Sequence, residues 1–323
     1  MANGSDTNTP PPPTASQPRV GGQLLASEVF WRNHYDWLLS KGYLLRSRYR
    51  PDWKPSWEGT RKSWLACTDG IMANASHHSH AERLSNGELL GLKRVKKSLH
   101  PYEAQIAQFF CSGSVATNSA NHCVPIYDVL QVPDDDDAII LVMPLLREHY
   151  SPAFDTIGEA IEFFRQIFEG LQFMHRNHVA HRMYRREDLP VSEDVIYGAD
   201  KTVPEFETSE SCDPFPTDVY TLGNMIKEEF MEGSRFDKRK LGFDFMKPLV
   251  ADMTQADPTK RPTMDEVVER FEKIRKDLTP WKLRSRVVEV PESPFTMAFR
   301  NLGHWKRRIW FMARRVPPVP APS

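Results

Sequence analysis

Residues 155–188 hold a long helix that runs into the segment 178–188, and Ile157, Ala160, Ile161, Phe164, Ile167, Phe168, Leu171 and Met174 recur at helical spacing to define one of its faces. Thr156 and Glu159 have the spacing of a capping box and predict where that helix begins. The helix runs into a short apolar step, Val179-Ala180, and then His181, Arg182 and Met183. Further along, Val219, Leu222, Ile226 and Phe230 form a second helical stripe, and residues 245–253 form another apolar helix. Thr263 and Glu266 form a second capping box ahead of Met264, Val267, Val268, Phe271 and Ile274.

Upstream the pattern is mostly one of strands. Residues 63–73, 80–85 and 88–95 read as short strand-like runs, with Ser85-Asn86-Gly87-Glu88 as the hairpin turn between the last two. Residues 123–132 and 138–146 read as a second hairpin, and its loop carries Asp134 to Asp137 as a solubilising turn. Between the hairpins, His100-Pro101-Tyr102-Glu103 opens a helix carrying Ile106, Phe109 and Phe110. Residues 28–57 are rich in aromatics and read as a short helix ended by Gly42, then an extended segment holding Pro51 and Pro55. Arginines interleaved with aromatics can stack on single-stranded nucleic acid, but buried aromatic mass is the favoured reading.

Composition narrows the class. A hydrophobic fraction of 40% and a charged fraction of 26% over 323 residues suit a globular protein with more than one core. The net charge of -1 argues against nucleic-acid binding by overall charge, and no nucleic-acid partner is expected. Cys67, Cys111, Cys123 and Cys212 are scattered without a C-x-x-C pair, which suits buried thiols in a reducing compartment. Residues 1–23 are polar and proline-rich, without the apolar stretch of a signal peptide, and are expected to be disordered. No apolar run has the length of a membrane span. The expected location is intracellular, cytoplasmic or nuclear, and not secreted. His77, His78 and His80 lack a further ligand and read as surface histidines, not a metal site.

A long helix delivering His181-Arg182 onto a loop resembles the catalytic loop of eukaryotic-type protein kinases, written H-R-D-L-x-x-x-N. Asp218-Val219-Tyr220-Thr221-Leu222-Gly223 is similar to the central large-lobe helix of that family, and Asp257 to Thr263 matches its closing D-P-x-x-R-P-T signature. Val203-Pro204-Glu205 stands at the A-P-E position. The resemblance covers roughly residues 60–278 and is most like the divergent kinase-like proteins of fungi. It implies an α+β, bilobal protein-kinase-like fold with a small, mostly β N-lobe and a mostly helical C-lobe. The implied organisation is a disordered tail over 1–23, an aromatic-rich extension over 24–59, an N-lobe over 60–147, a C-lobe over 148–280 and a basic, aromatic extension over 281–323. It further implies ATP and Mg²⁺ as cofactors and a protein substrate or partner. Lys93 is similar to the phosphate-binding strand lysine, with Glu103 as its helix partner, while Met143 falls at the gatekeeper position and Leu145 in the hinge. Glu205, Asp218 and Arg261 are implied as structural anchors, Arg261 pairing with Glu205 and Asp218 holding the catalytic-loop backbone.

The chain departs from the family where the chemistry lies. Met183 replaces the catalytic Asp, Asp188 stands at the metal-binding Asn, and no D-F-G occurs between His181 and Pro204. Asp188 is the best relict metal ligand, beside Glu187 and Asp194. Residues 184–206 resemble only the later part of an activation segment, which implies an internal deletion at Arg182/Met183. The glycine-rich loop is poor: Gly87 is used by the hairpin turn, and a phosphate cradle at Thr68-Asp69-Gly70 would bring Asp69 against the phosphates. The expectation is a catalytically deficient kinase homologue, a pseudokinase or incomplete gene product. Two alternatives are an active Ser/Thr-type kinase whose true sequence contains the missing segment and an adaptor binding through its basic C-terminal tail. The deletion also predicts apolar surface exposed near Val179 and Leu189, and hence marginal folding. The C-terminal segment, in the favoured reading, is a helix docked with its basic face in water.

Overall fold

The computed structural model describes residues 24–71, 77–147, 149, 151–181, 200, 202–208, 212–234, 238–291 and 293–319. They mix helices with antiparallel strands, an α+β architecture, and divide into two compact units, Met1–Arg94 and Val95–Ser323.

In the first unit, α1 (Ala26–Asn33) and α2 (Tyr35–Ser40) lead into the strands β1 (Tyr43–Leu45), β2 (His78–Arg83) and β3 (Leu89–Lys96), the last of which runs on into the second unit. β1 pairs antiparallel with β2 and β2 with β3, with Leu45 opposite Ala81 and Ala81 opposite Leu90. Alternation along the strands buries Ser79 and Ala81 from β2 and Leu90 and Leu92 from β3. The aromatic segment is buried mass: Trp31, Tyr35 and Tyr49 pack inside this unit. They enclose an ion pair that the pattern did not announce, Arg48 to Glu28 at 2.9 Å, in which both residues are buried. Tyr49 donates its hydroxyl to the same carboxylate, and burial, with Glu28 beside it, pushes the Tyr49 phenol up to about 12.

Within the run 63–73, residues 63–71 are not a strand, and 72 and 73 lie outside the described residues. The chain makes 3-10 turns at Trp64–Ala66 and Thr68–Gly70 because the Asp69 carboxylate collects the Ser56 amide at 2.9 Å, the Ser56 hydroxyl at 2.6 Å and the Trp53 indole N–H at 3.1 Å. Those bonds, together with Arg48 on the Asp69 carbonyl, curl the segment where an isolated reading of Trp, Leu, Cys and Ile suggests extension.

The second unit begins with the end of β3, whose Val95 packs with Ile139 and Leu141. It continues through α3 (Glu103–Phe110), α4 (Gly113–Ala116) and the antiparallel hairpin β4 (Asp128–Gln131) and β5 (Ala138–Pro144). Its centre is α5 (Ile157–Arg176), opened by the Thr156/Glu159 capping box. The apolar face of α5 meets α7 (Pro214–Ile226), α8 (Lys247–Met253) and α9 (Met264–Asp277) in one core; α6 (Glu205–Thr208) precedes α7. Phe164 packs edge-on to Phe230 at 4.8 Å and Phe168 edge-on to Phe271 at 5.0 Å. The ribbon β6 (Arg239–Leu241) and β7 (Val288–Val290), the short helix α10 (Pro280–Leu283) and the long helix α11 (Pro294–Ala313) complete the unit.

The fold departs from two expectations. Val179 is not exposed: it lies buried with Ile106, Phe110 and Met174, because α3 supplies the apolar cover. Leu189 lies outside the described residues. Helix α11 does pack on the unit, but with the opposite face: His304 and Arg308 are buried while Phe295, Phe299, Leu302 and Ile309 are exposed. The cause is local. Arg307 pairs with Asp155, and the guanidinium of Arg308 lies 3.5 Å from the centre of the Trp281 ring, so polar groups make the docking contacts. Among the described residues no helix is long and apolar enough to cross a membrane.

Candidate functional site

The C-terminal end of helix α5 sets the course of the chain beyond it. His178 takes a left-handed conformation with φ of 59°, its amide bonds the His175 carbonyl at 2.9 Å, and the Val179 amide bonds the Met174 carbonyl at 3.0 Å. This is a Schellman closure with Val179 and Met174 as its apolar contact, and a histidine fills the position glycine usually takes. The turn reverses the chain and buries Ala180, leaving the His181 amide directed at α7.

There it meets Asp218. The buried Asp218 carboxylate accepts the His181 amide at 2.6 Å and faces the His175 imidazole Nε2 at 3.0 Å. His175 is in turn held edge-on against Phe215. Asp218 therefore ties the last turn of α5 and the start of the loop to one point on α7. Arg182, Met183, Asp188 and Asp194, the rest of the relict loop and its candidate ligands, lie outside the described residues.

A second polar centre sits at the start of α6. Both oxygens of Glu205 accept from Arg261 at 2.7 Å, and the Thr217 hydroxyl adds a bond of 2.9 Å. The remaining Arg261 N–H groups reach the carbonyls of Pro216, Gln255 and Ala256, and the guanidinium lies over the Tyr220 ring at 4.7 Å. No donor of this arginine is left over. Burial raises the Glu205 carboxyl, but the hydrogen bonds from Arg261 and Thr217 outweigh it and hold the group below its ordinary value.

Sequence reasoning missed a third cluster beside these. Asp200 accepts from the amide and hydroxyl of Thr202 and, at 2.6 Å, from the Asn224 amide, while Tyr220 donates to the Thr202 carbonyl at 2.9 Å. Two signals were present: Asp200 and Thr202 have the spacing of an Asx turn, and Tyr220 and Asn224 share one face of α7.

The nucleotide-binding candidates fall in both units. Lys93 is half-buried on β3, opposite His78 in the register with β2. Glu103 is buried in the first turn of α3, whereas Gln105 is exposed, so Glu103 is the inward-facing residue of that turn. Met143 is half-buried at the end of β5 and Leu145 is 44% exposed just beyond it. The segment Thr68-Asp69-Gly70 does not fit a phosphate. A Cβ at Gly70 would stand 1.9 Å from the Trp64 carbonyl oxygen, so protein backbone already takes the close approach that only glycine permits. Asp69 is saturated by Ser56 and Trp53, and among the described residues no group of three or more His, Cys, Asp or Glu is placed to hold a metal ion. The candidate metal ligands Glu187, Asp188 and Asp194 lie outside the described residues.

No family model matches the chain, and no curated protein matches it. Among solved structures it is similar to a crystal structure of Rad53 1-466 in complex with AMP-PNP, at 13% sequence identity and a TM-score of 0.41. The match spans 63% of this chain and 63% of that one, a likeness too slight to carry a function across.

Proposed function

We propose that this chain is a kinase-like protein that keeps the large-lobe scaffold and has lost phosphoryl transfer, and that it works as a binding module for a protein partner inside the cell. The observation that carries this reading is Asp218, which takes the His181 amide and faces His175 while the position two residues beyond His181 is Met183. The anchor of a catalytic loop is kept and the base it would position is not. The Glu205–Arg261 pair supports the same reading, since it joins the A-P-E-like and closing motifs across 56 residues of sequence. In the proposed organisation residues 60–147 form the small lobe and 148–280 the large one.

Chemistry argues for the loss of activity. Phosphoryl transfer works by positioning and by neutralising charge on the phosphoryl oxygens, which needs metal ligands and a group to accept the hydroxyl proton. A thioether offers neither. Lys93 has no glycine cradle near it in the sequence, and weak ATP affinity is expected.

The test is transfer of labelled γ-phosphate from ATP with Mg²⁺ to the chain itself and to a generic Ser/Thr substrate. No incorporation above background is expected. Incorporation that Lys93→Ala abolishes would overturn the proposal. Sequencing the transcript across the codons for residues 179–189 complements it: an inserted H-R-D, its Asn and a D-F-G would make the active-kinase reading the correct one.

A further inference from the structure

Helix α11 is amphipathic the wrong way round for a helix packed on a protein. At 100° per residue, Phe295, Phe299, Leu302, Ile309 and Trp310 fall along one side, and His304, Arg308 and Phe311 fall opposite. The apolar side faces out: Phe299 is 77%, Leu302 72% and Ile309 58% exposed, against 7% for His304 and 6% for Arg308. The stripe runs the length of a 20-residue helix, roughly 30 Å at 1.5 Å per residue.

The helix is not a loose end that happened to land this way. Arg307 pairs with Asp155, Arg308 stacks on Trp281, and beyond the helix Arg284 holds the Val316 carbonyl. Val319 then packs on the main core, and the Pro318 carbonyl lies where a Cβ on Gly158 would be, at 2.0 Å. Both flanks of the docked face are thus fastened, and the apolar stripe is held outward.

We infer that this stripe lies on an anionic lipid surface. Residues 293–323 contain no Asp or Glu, while Lys306 stands within the outward face and Arg314 beside it. A basic, acid-free flank around Phe, Leu, Ile and Trp matches an interfacial helix, whose apolar side sinks to the headgroup boundary while cations meet lipid phosphates and carboxylates. With one side of the helix taken by Asp155 and Trp281, a flat bilayer needs only the outward side, and the lack of Asp and Glu there suits anionic headgroups. This inference does not depend on the kinase-like reading.

The experiment is flotation of the full chain with vesicles of phosphatidylcholine alone and of phosphatidylcholine mixed with phosphatidylserine. Binding to the mixed vesicles is expected, weakened by salt and more than tenfold lower for Phe299→Asp and for Ile309→Asp. Lys306→Ala should weaken it by roughly fivefold, since one cation near an anionic surface contributes about 1 kcal/mol. Each substitution falls on an exposed side chain, and an unchanged unfolding midpoint shows that the variant folds. Absence of vesicle binding, equal binding to neutral vesicles, or equal binding by Phe299→Asp would overturn the inference. A concentration-dependent dimer in sedimentation velocity, dissolved by Phe299→Asp and formed while vesicles go unbound, would overturn it in favour of a second copy of the chain.

Discussion

Arg261 engages every N–H of its guanidinium inside the protein, and removing either member of its pair with Glu205 leaves the other buried without a counter-charge. Arg261→Ala should destabilise the second unit by roughly 3–5 kcal/mol, read as a lower urea midpoint at unchanged slope. Arg261→Lys keeps the charge but cannot reproduce the paired bonds to both Glu205 oxygens, so it should recover only part of the loss. The pair also sets a pH dependence. The folded Glu205 carboxyl lies below its ordinary value of 4.5, so the unfolded chain binds that proton more readily. Its contribution is therefore fully present above about pH 4.5 and is lost as pH falls through the folded value. Glu205→Gln should give a flatter profile of melting temperature on the acid side, and a slope identical to the parent's would contradict the assignment. Asp218→Ala should cost about 1–3 kcal/mol by stranding the His181 amide, with Asp218→Asn milder because one acceptor oxygen remains.

Helices in this chain form where two periodic signals coincide, an apolar stripe and a capping box, as at α5 and α9. Their boundaries were legible because both signals are local. The strand expected over residues 63–71 failed for the converse reason: the groups that curl it, Trp53, Ser56 and Arg48, lie more than a dozen residues upstream of Asp69. The placement of α11 failed similarly, since its docking partner Asp155 belongs to the turn before α5. Element packing also makes a sharp prediction at Gly158, where the Pro318 carbonyl leaves no room for a methyl group. Gly158→Ala should lift the C-terminal segment from α5, costing roughly 1–3 kcal/mol and speeding proteolysis near residue 317. An unchanged cleavage pattern would show that the tail does not pack there.

For the molecule as a whole, the decisive question is whether any nucleotide site survives. The Thr68-Asp69-Gly70 turn is closed by its own contacts, so Mg²⁺ and ATP at millimolar concentration should leave the unfolding midpoint unmoved. A midpoint that rises with ATP concentration would show that the chain binds the nucleotide elsewhere. Glu205, Asp218 and Arg261 were nameable only through the family resemblance of the motifs that carry them. The Asp200–Thr202–Asn224 cluster and the Glu28–Arg48 pair were not, because no local pattern distinguishes an Asp or Arg that will be buried from one that stays in water. The order of chain elements and the apolar faces are set by the string of residues alone, since periodicity, capping and side-chain chemistry are local properties. Which polar groups are buried together, and which side of α11 meets solvent, depend on contacts between distant segments. Those contacts form because a polar group leaving water needs a partner inside the fold, and that partner is often remote in sequence.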